Sequence, residues 1–145
     1  MREDTPESFL DVFQALDADH VRYVAVGGVV VVLRGYVRAI ADLDLVVDPE
    51  SPNASRAVRT LLKLSFVPSI PLPIRALTVL RTFDPSQREV DLFFRCHIPF
   101  EQLWAGSELL TVRDCPVRAA SLDHLLEVKR LLARPHDLLD VEVLG

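Results

Sequence analysis

The spacing of apolar residues changes several times along the chain, and each change predicts a boundary between secondary-structure elements. After Thr5-Pro6, a pair typical of a helix start, apolar residues recur at helical spacing. We therefore predict a first helix that ends near Asp19. Residues 21–26, which are apolar except for Arg22, follow and predict a strand.

Strand and helix patterns alternate through the rest of the chain. Strands are predicted over 42–47, 77–83, 89–95, 109–112 and 116–118, and helices over about 53–64, over 100–103 and from 122 onward. The segment 66–73 contains three prolines and is predicted to be an extended loop. Pro135 should interrupt the last long helix, which Ser121 can cap, and a final helix should follow it. This alternation predicts an α/β (α+β) fold in a single domain, 1–145.

The Gly27-Gly28 pair is compatible with two local structures. Two valine-rich runs joined by Gly-Gly are typical of a β-hairpin, and the valines over 29–32 favour a strand by propensity. The alternative is a strand-to-helix turn, in which glycines allow the backbone to approach a phosphate at the start of the helix. The acidic residues downstream favour the strand-to-helix turn.

Carboxylates interrupt two apolar strands. Asp42 and Asp44 lie on one face of a predicted strand, and Asp91 lies between Val90 and Leu92 in another. Burying such groups is costly unless a positive charge compensates them. A divalent cation is the compensation that we favour, and Mg²⁺ prefers such oxygen ligands. The alternative is that these are strand-end carboxylates paired with arginines such as Arg81.

Composition and charge narrow the class of protein. Half of the 145 residues are hydrophobic, and the mean hydropathy is +0.24, as in a well-packed domain. The formal charge of −5 argues against a protein that binds nucleic acid chiefly through a basic surface. The apolar runs are far shorter than a membrane span, and the acidic start of the chain lacks a signal-peptide pattern. We expect a soluble, cytoplasmic protein that does not interact with a membrane.

Taken in order, these motifs resemble the nucleotidyltransferase superfamily related to DNA polymerase beta. The resemblance rests on the Gly27-Gly28 pair, the segment 38–44 with its Asp-Leu-Asp, the Val-Asp-Leu at 90–92, and the tail over 125–140. The chain looks most like the small bacterial members, which include abortive-infection toxins and some aminoglycoside nucleotidyltransferases. The resemblance implies a mixed β-sheet flanked by helices, with further helices at the C-terminus.

The resemblance also assigns residues to the nucleotide. Gly27 and Gly28 would bind the β- and γ-phosphates of a nucleoside triphosphate (NTP) through their backbone N–H groups. Arg38 would contact the triphosphate or hold the following strand, and Lys129 would reach the phosphates or the nucleotide. Family members often carry Ser where this chain has Gly28, so a hydroxyl is missing there.

The catalytic and metal-binding roles fall on the three aspartates. Asp42 and Asp44 would bind two Mg²⁺ ions, one of which could arrive with the nucleotide. Asp91 would complete the metal site and help to deprotonate the acceptor hydroxyl. The implied enzyme transfers a nucleoside monophosphate from an NTP to a hydroxyl on RNA, protein or a small molecule, and releases pyrophosphate.

A binding or regulatory module is the alternative function. Such a module would keep the fold, turn over slowly or not at all, and act with a small protein partner in a toxin–antitoxin-like pair. The short segment after residue 120 favours this alternative, because many active relatives carry a second helical domain.

Overall fold

The computed structural model describes residues 4–69 and 79–132, with side chains only up to residue 128 in the last helix. A 3₁₀ turn over Pro6–Phe9 leads into the first helix. The α-helices are α1 (Leu10–Ala18), α2 (Gly28–Leu33), α3 (Ser51–Lys63), α4 (Phe100–Gly106) and α5 (Leu122–Leu132). The strands are β1 (Tyr23–Val26), β2 (Asp42–Val47), β3 (Val67–Pro68), β4 (Val79–Phe83), β5 (Glu89–Phe93), β6 (Glu108–Val112) and β7 (Cys115–Ala119).

All seven described strands form one mixed sheet in the order β3-β4-β5-β2-β1-β7-β6. Two pairs are parallel, β2 with β5 and β1 with β7, and the other neighbours are antiparallel. Residues 43–47 of β2 are all buried, which is what a central strand covered on both faces requires. The predicted mixed sheet with flanking helices is therefore confirmed.

Most predicted elements are present with shifted ends. The first helix opens with the 3₁₀ turn, and Ser121 caps α5, since its Oγ accepts the His124 backbone N–H at 3.2 Å.

The loop prediction is wrong for Val67 and Pro68, which pair with β4 as a two-residue edge strand. Proline is tolerated at an edge because its missing N–H faces no partner there. The predicted break at Pro135 and the final helix lie outside the described residues.

The valine run after Gly28 is helical, so the strand-to-helix turn is confirmed and the hairpin is excluded. Val29, Val30 and Val31 are each at most 1% exposed. Burial in the core therefore outweighs the weak preference of valine for strands. Each described helix is too short or too polar to cross a lipid bilayer.

Asn53 joins α3 to the start of β1 through three short hydrogen bonds. Its Oδ1 accepts the Arg22 N–H at 2.7 Å, and its Nδ2 donates to the carbonyls of Arg22 at 3.0 Å and Asp48 at 2.9 Å. Asn53 is 6% exposed, so water cannot replace these contacts easily.

Replacing Asn53 with Ala should therefore lower the free energy of unfolding by about 1–3 kcal/mol, because buried backbone groups lose their partners. Urea unfolding followed by circular dichroism measures the change. Ser55→Ala, on the same helix, is the matched control and should stay within about 0.5 kcal/mol of the wild type. Equal stabilities for the two variants would contradict this account of Asn53.

Candidate active site

Three aspartates converge where β2 and β5 run side by side. Asp44 lies opposite Asp91 in the parallel register, and Asp42 lies on the same face of β2 two residues earlier. One carboxylate oxygen from each of the three lies within 4.8 Å of the others. Asp44 and Asp91 are buried, at 5% and 2% exposure, and Asp42 is half-buried. Asp44 and Asp91 thus form the buried part of the cluster, and Asp42 forms its more exposed part.

The turn between β1 and α2 closes over this cluster. Val26, the last residue of β1, pairs with Asp44, so Gly27 follows directly beside that carboxylate. Gly27 has a φ of +79°, and a Cβ at this position would overlap the Asp44 carboxylate. Both the backbone angle and the space therefore require glycine.

Arg38 approaches the same turn from the segment that precedes β2. A Cβ added at Gly28 would lie 3.2 Å from the guanidinium carbon of Arg38, so the guanidinium packs over Gly28. The Nε of Arg38 also donates to the carbonyl of Ala39 at 3.1 Å. The first N–H groups of any helix lack partners within the helix, so the turn presents backbone donors next to a cation.

Electrostatics single out Asp91. Burial and, to a smaller extent, interactions with the neighbouring carboxyls of Glu89, Asp44 and Asp42 together raise the pKa of Asp91 to about 9. Its Oδ1 is buried and has no hydrogen-bond partner among the described residues. An orphaned buried oxygen within a carboxylate cluster is the donor set expected for a hard divalent cation. The residues present therefore fit a magnesium site.

Arg81 gives the aspartates only a weak counter-charge. It lies opposite Asp91 on β4, and its Nε is 3.9 Å from Asp91 Oδ2. The Arg81 side chain is 61% exposed, and a long, exposed ion pair contributes little to stability. Pairing with arginine therefore does not account for the burial of Asp91.

The structure thus brings together Asp42, Asp44, Asp91, Gly27, Gly28 and Arg38. Lys129 falls within α5, but its side chain lies outside what the structure describes, so its contact with the nucleotide stays a prediction. The sequence reasoning missed Glu89, which lies opposite Asp42 and whose carboxyl raises the pKa of Asp91. The available signal was the Glu-Val-Asp pattern of β5, which repeats the acid–apolar–acid spacing of Asp-Leu-Asp on β2.

Comparisons with known proteins support the fold. No protein-family pattern and no curated protein sequence matches this chain. The solved structure of the lincosamide antibiotic adenylyltransferase LnuA, bound to lincomycin, matches with a TM-score of 0.70 over 99% of this chain and 98% of LnuA, at 15% identity. A candidate nucleotidyltransferase from Thermotoga maritima matches with a TM-score of 0.67 over 97% of this chain and 94% of that protein, at 13% identity. ANT(2")-Ia, in complex with adenylyl-2"-tobramycin, matches with a TM-score of 0.62 over 92% of this chain and 83% of that protein, at 12% identity. The chain therefore has the fold of the nucleotidyltransferases.

The raised pKa of Asp91 predicts how stability changes with pH when no divalent cation is present. Between pH 4 and 9 the folded protein holds a proton on Asp91 that the unfolded chain, with an ordinary pKa of 3.8, has lost. The free energy of unfolding should therefore fall as pH rises through this window. Asp91→Asn should flatten the slope and stabilise the protein at pH 9 by about 1–3 kcal/mol, because it removes a buried charge.

Urea unfolding in EDTA at pH 6, 7.5 and 9 tests this prediction. Asp114→Asn, the same change on an exposed turn, should leave the pH slope unchanged. An Asp91→Asn variant that is less stable than the wild type at pH 9 would show that the buried charge of Asp91 does not destabilise the protein.

The diglycine turn yields a second prediction. Gly27→Ala should destabilise the protein by about 2 kcal/mol or more, because it combines an unfavourable φ with a clash against Asp44. Gly35→Ala is a matched control, since Gly35 also has a positive φ, +100°, but a Cβ there meets nothing within 4 Å. Its cost should be confined to backbone strain of about 1 kcal/mol.

Chemical denaturation and Mn²⁺ titration of both variants distinguish the two effects. Gly27→Ala should also weaken Mn²⁺ binding, because it displaces Asp44, whereas Gly35→Ala should not. If both variants lose the same stability and bind Mn²⁺ as the wild type does, Gly27 does not shape the cation site.

Proposed function

We propose that this protein transfers a nucleoside monophosphate from an NTP to an acceptor hydroxyl and releases pyrophosphate. The observation that carries the proposal is the convergence of Asp42, Asp44 and Asp91 beside a helix-initiating diglycine turn, in a chain with the nucleotidyltransferase fold. The orphaned Oδ1 of Asp91 supports a cation at this position.

In this proposal, Asp42 and Asp44 hold the Mg²⁺-bound triphosphate against the sheet. Bound Mg²⁺ would neutralise the phosphate oxygens and stabilise the charge that develops on the leaving pyrophosphate. The backbone N–H groups that follow Gly27 would donate to the phosphates, with Arg38 adding a positive charge beside Gly28. Lys129 would contribute from α5. These residues orient the α-phosphate for in-line attack, which supplies much of the expected rate gain.

Asp91 is the group proposed to receive the acceptor proton. The acceptor oxygen attacks the α-phosphorus, a new P–O bond forms, and the bond from the α-phosphorus to the bridging oxygen of the β-phosphate breaks. The hydroxyl proton passes to a carboxylate oxygen of Asp91, and pyrophosphate leaves with the electron pair of the broken bond. Bound Mg²⁺ would favour the ionised form of Asp91, so that its carboxylate can accept the proton.

A small molecule is the acceptor class that we propose first. LnuA is described as an antibiotic adenylyltransferase with lincomycin bound, and ANT(2")-Ia as bound to an adenylylated tobramycin. The match to LnuA spans almost all of both chains. RNA and protein hydroxyls remain the comparison acceptors in the test, and the toxin–antitoxin-like module remains the alternative function.

Incubation with each labelled NTP, Mg²⁺ and a panel of hydroxyl acceptors tests the proposal. The panel contains lincomycin, tobramycin, cellular RNA and a protein extract, and the readouts are label transfer and pyrophosphate release. The wild type should label at least one acceptor, and Asp44→Asn should reduce the rate by a factor of about 10² or more, because the isosteric amide removes a charged ligand. Asp114→Asn should retain the wild-type rate.

The results also separate the enzyme from the alternative module. Transfer at the wild-type rate by Asp44→Asn would overturn the site assignment. If no acceptor is labelled and calorimetry detects no Mg²⁺-dependent NTP binding, the protein is not a nucleotidyltransferase, and the module becomes the better explanation. Binding without transfer would favour an inactive member of the fold.

A further inference from the structure

Glu89 extends the acidic face of the candidate site by one residue. It lies two residues before Asp91 on β5 and opposite Asp42 in the parallel register with β2. Side chains two residues apart on a strand share a face, so Glu89 points to the same side of the sheet as the aspartates. The two strands thus present two rows of acids, Asp42 with Glu89 at the rim and Asp44 with Asp91 inside.

Strand register and electrostatics connect Glu89 to this cluster. Glu89 lies opposite Asp42, and its carboxyl raises the pKa of the neighbouring Asp91 carboxyl. Glu89 is half-buried and Asp91 is buried, so Glu89 is the more exposed acid of the pair on β5. The buried Oδ1 of Asp91 has no hydrogen-bond partner among the described residues, which leaves an acceptor in the cluster available to a cation.

We propose that Glu89 is a fourth carboxylate of the cation site, a rim residue that supplies additional negative charge beside Asp42. The inference rests on the proposed function, since it concerns the same cation. Carboxylate oxygens suit Mg²⁺ and Mn²⁺, and the affinity of such sites rises with the number of charged ligands. Glu89 therefore raises the affinity for the ion before any nucleotide phosphate contributes oxygens.

Mn²⁺ binding in the absence of nucleotide tests the assignment without relying on activity. Calorimetry and electron paramagnetic resonance would be applied to the wild type, Glu89→Gln, Glu89→Asp and Asp44→Asn. Glu89→Gln keeps the size of the side chain and its hydrogen-bonding capacity but removes the charge, so it should weaken Mn²⁺ binding by about tenfold or more. Glu89→Asp keeps the charge on a shorter side chain and should bind more tightly than Glu89→Gln.

The matched control is Glu7→Gln, which makes the same change at an exposed position. This variant should bind Mn²⁺ as the wild type does. Thermal unfolding in EDTA should give similar melting temperatures for Glu89→Gln and the wild type, which excludes a general loss of structure as the cause.

Each result has a separate meaning. If Glu89→Gln binds Mn²⁺ within twofold of the wild type while Asp44→Asn does not bind, the assignment of Glu89 is overturned and the proposed function stands. If the wild type binds no Mn²⁺ at millimolar concentration, the cation site itself is overturned and Glu89 loses its role with it. Equal losses in Glu89→Gln and Glu89→Asp would also count against the assignment, because charge would then have no part in the effect.

Discussion

The rest of the candidate site depends on the burial of two carboxylates, Asp44 and Asp91, side by side on neighbouring strands. Burial raises the pKa of Asp91, and the charge of the neighbouring Asp44 carboxyl raises it too. A protein can tolerate the arrangement by holding a proton, by placing a cation between the groups, or by both in turn. The diglycine turn and Arg38 meet the same need for compensation, because they bring backbone N–H donors and a positive charge close to the buried carboxylates.

Two other buried aspartates are compensated by arginine. Asp84 and Asp48 are each 7% exposed, and each receives a short contact, from Arg88 at 2.8 Å and from Arg22 at 2.7 Å. Both arginines also bind a second acidic residue. Asp91 is more deeply buried than either of these aspartates, yet its arginine is exposed and 3.9 Å away. This contrast sets Asp91 apart from Asp48 and Asp84, which have close arginine partners, and it supports the cation that we propose at Asp91.

The sequence predicted the fold wherever the pattern was long or a turn had distinctive chemistry. The helix predicted over about 53–64 and found over 51–63, and the strand over 42–47, follow from periodicity, and the diglycine turn followed from combining local and distant signals. Propensity alone would have placed Val29 in a strand, and the Asp-Leu-Asp and Asp91 downstream corrected it. The two-residue strand at Val67 escaped notice because it is too short to show alternation and contains proline. The position of the Lys129 side chain relative to the site stays a prediction.

Glu89 shows why composition and spacing could not identify every acidic residue beside the site. A glutamate at the first position of a strand is usually interpreted as a solvent-exposed end residue. The sequence also does not reveal which residue of β2 lies opposite it. The parallel register of β2 and β5 supplies that information, because it aligns Asp-Leu-Asp with Glu-Val-Asp residue by residue. A shift of one residue would turn the acids of β5 to the other face and leave those of β2 opposite apolar side chains. The acidic character of the site is therefore a property of strand pairing, which is fixed by the hydrophobic residues that alternate with the acids, Leu43, Leu45, Val90 and Leu92, all fully buried.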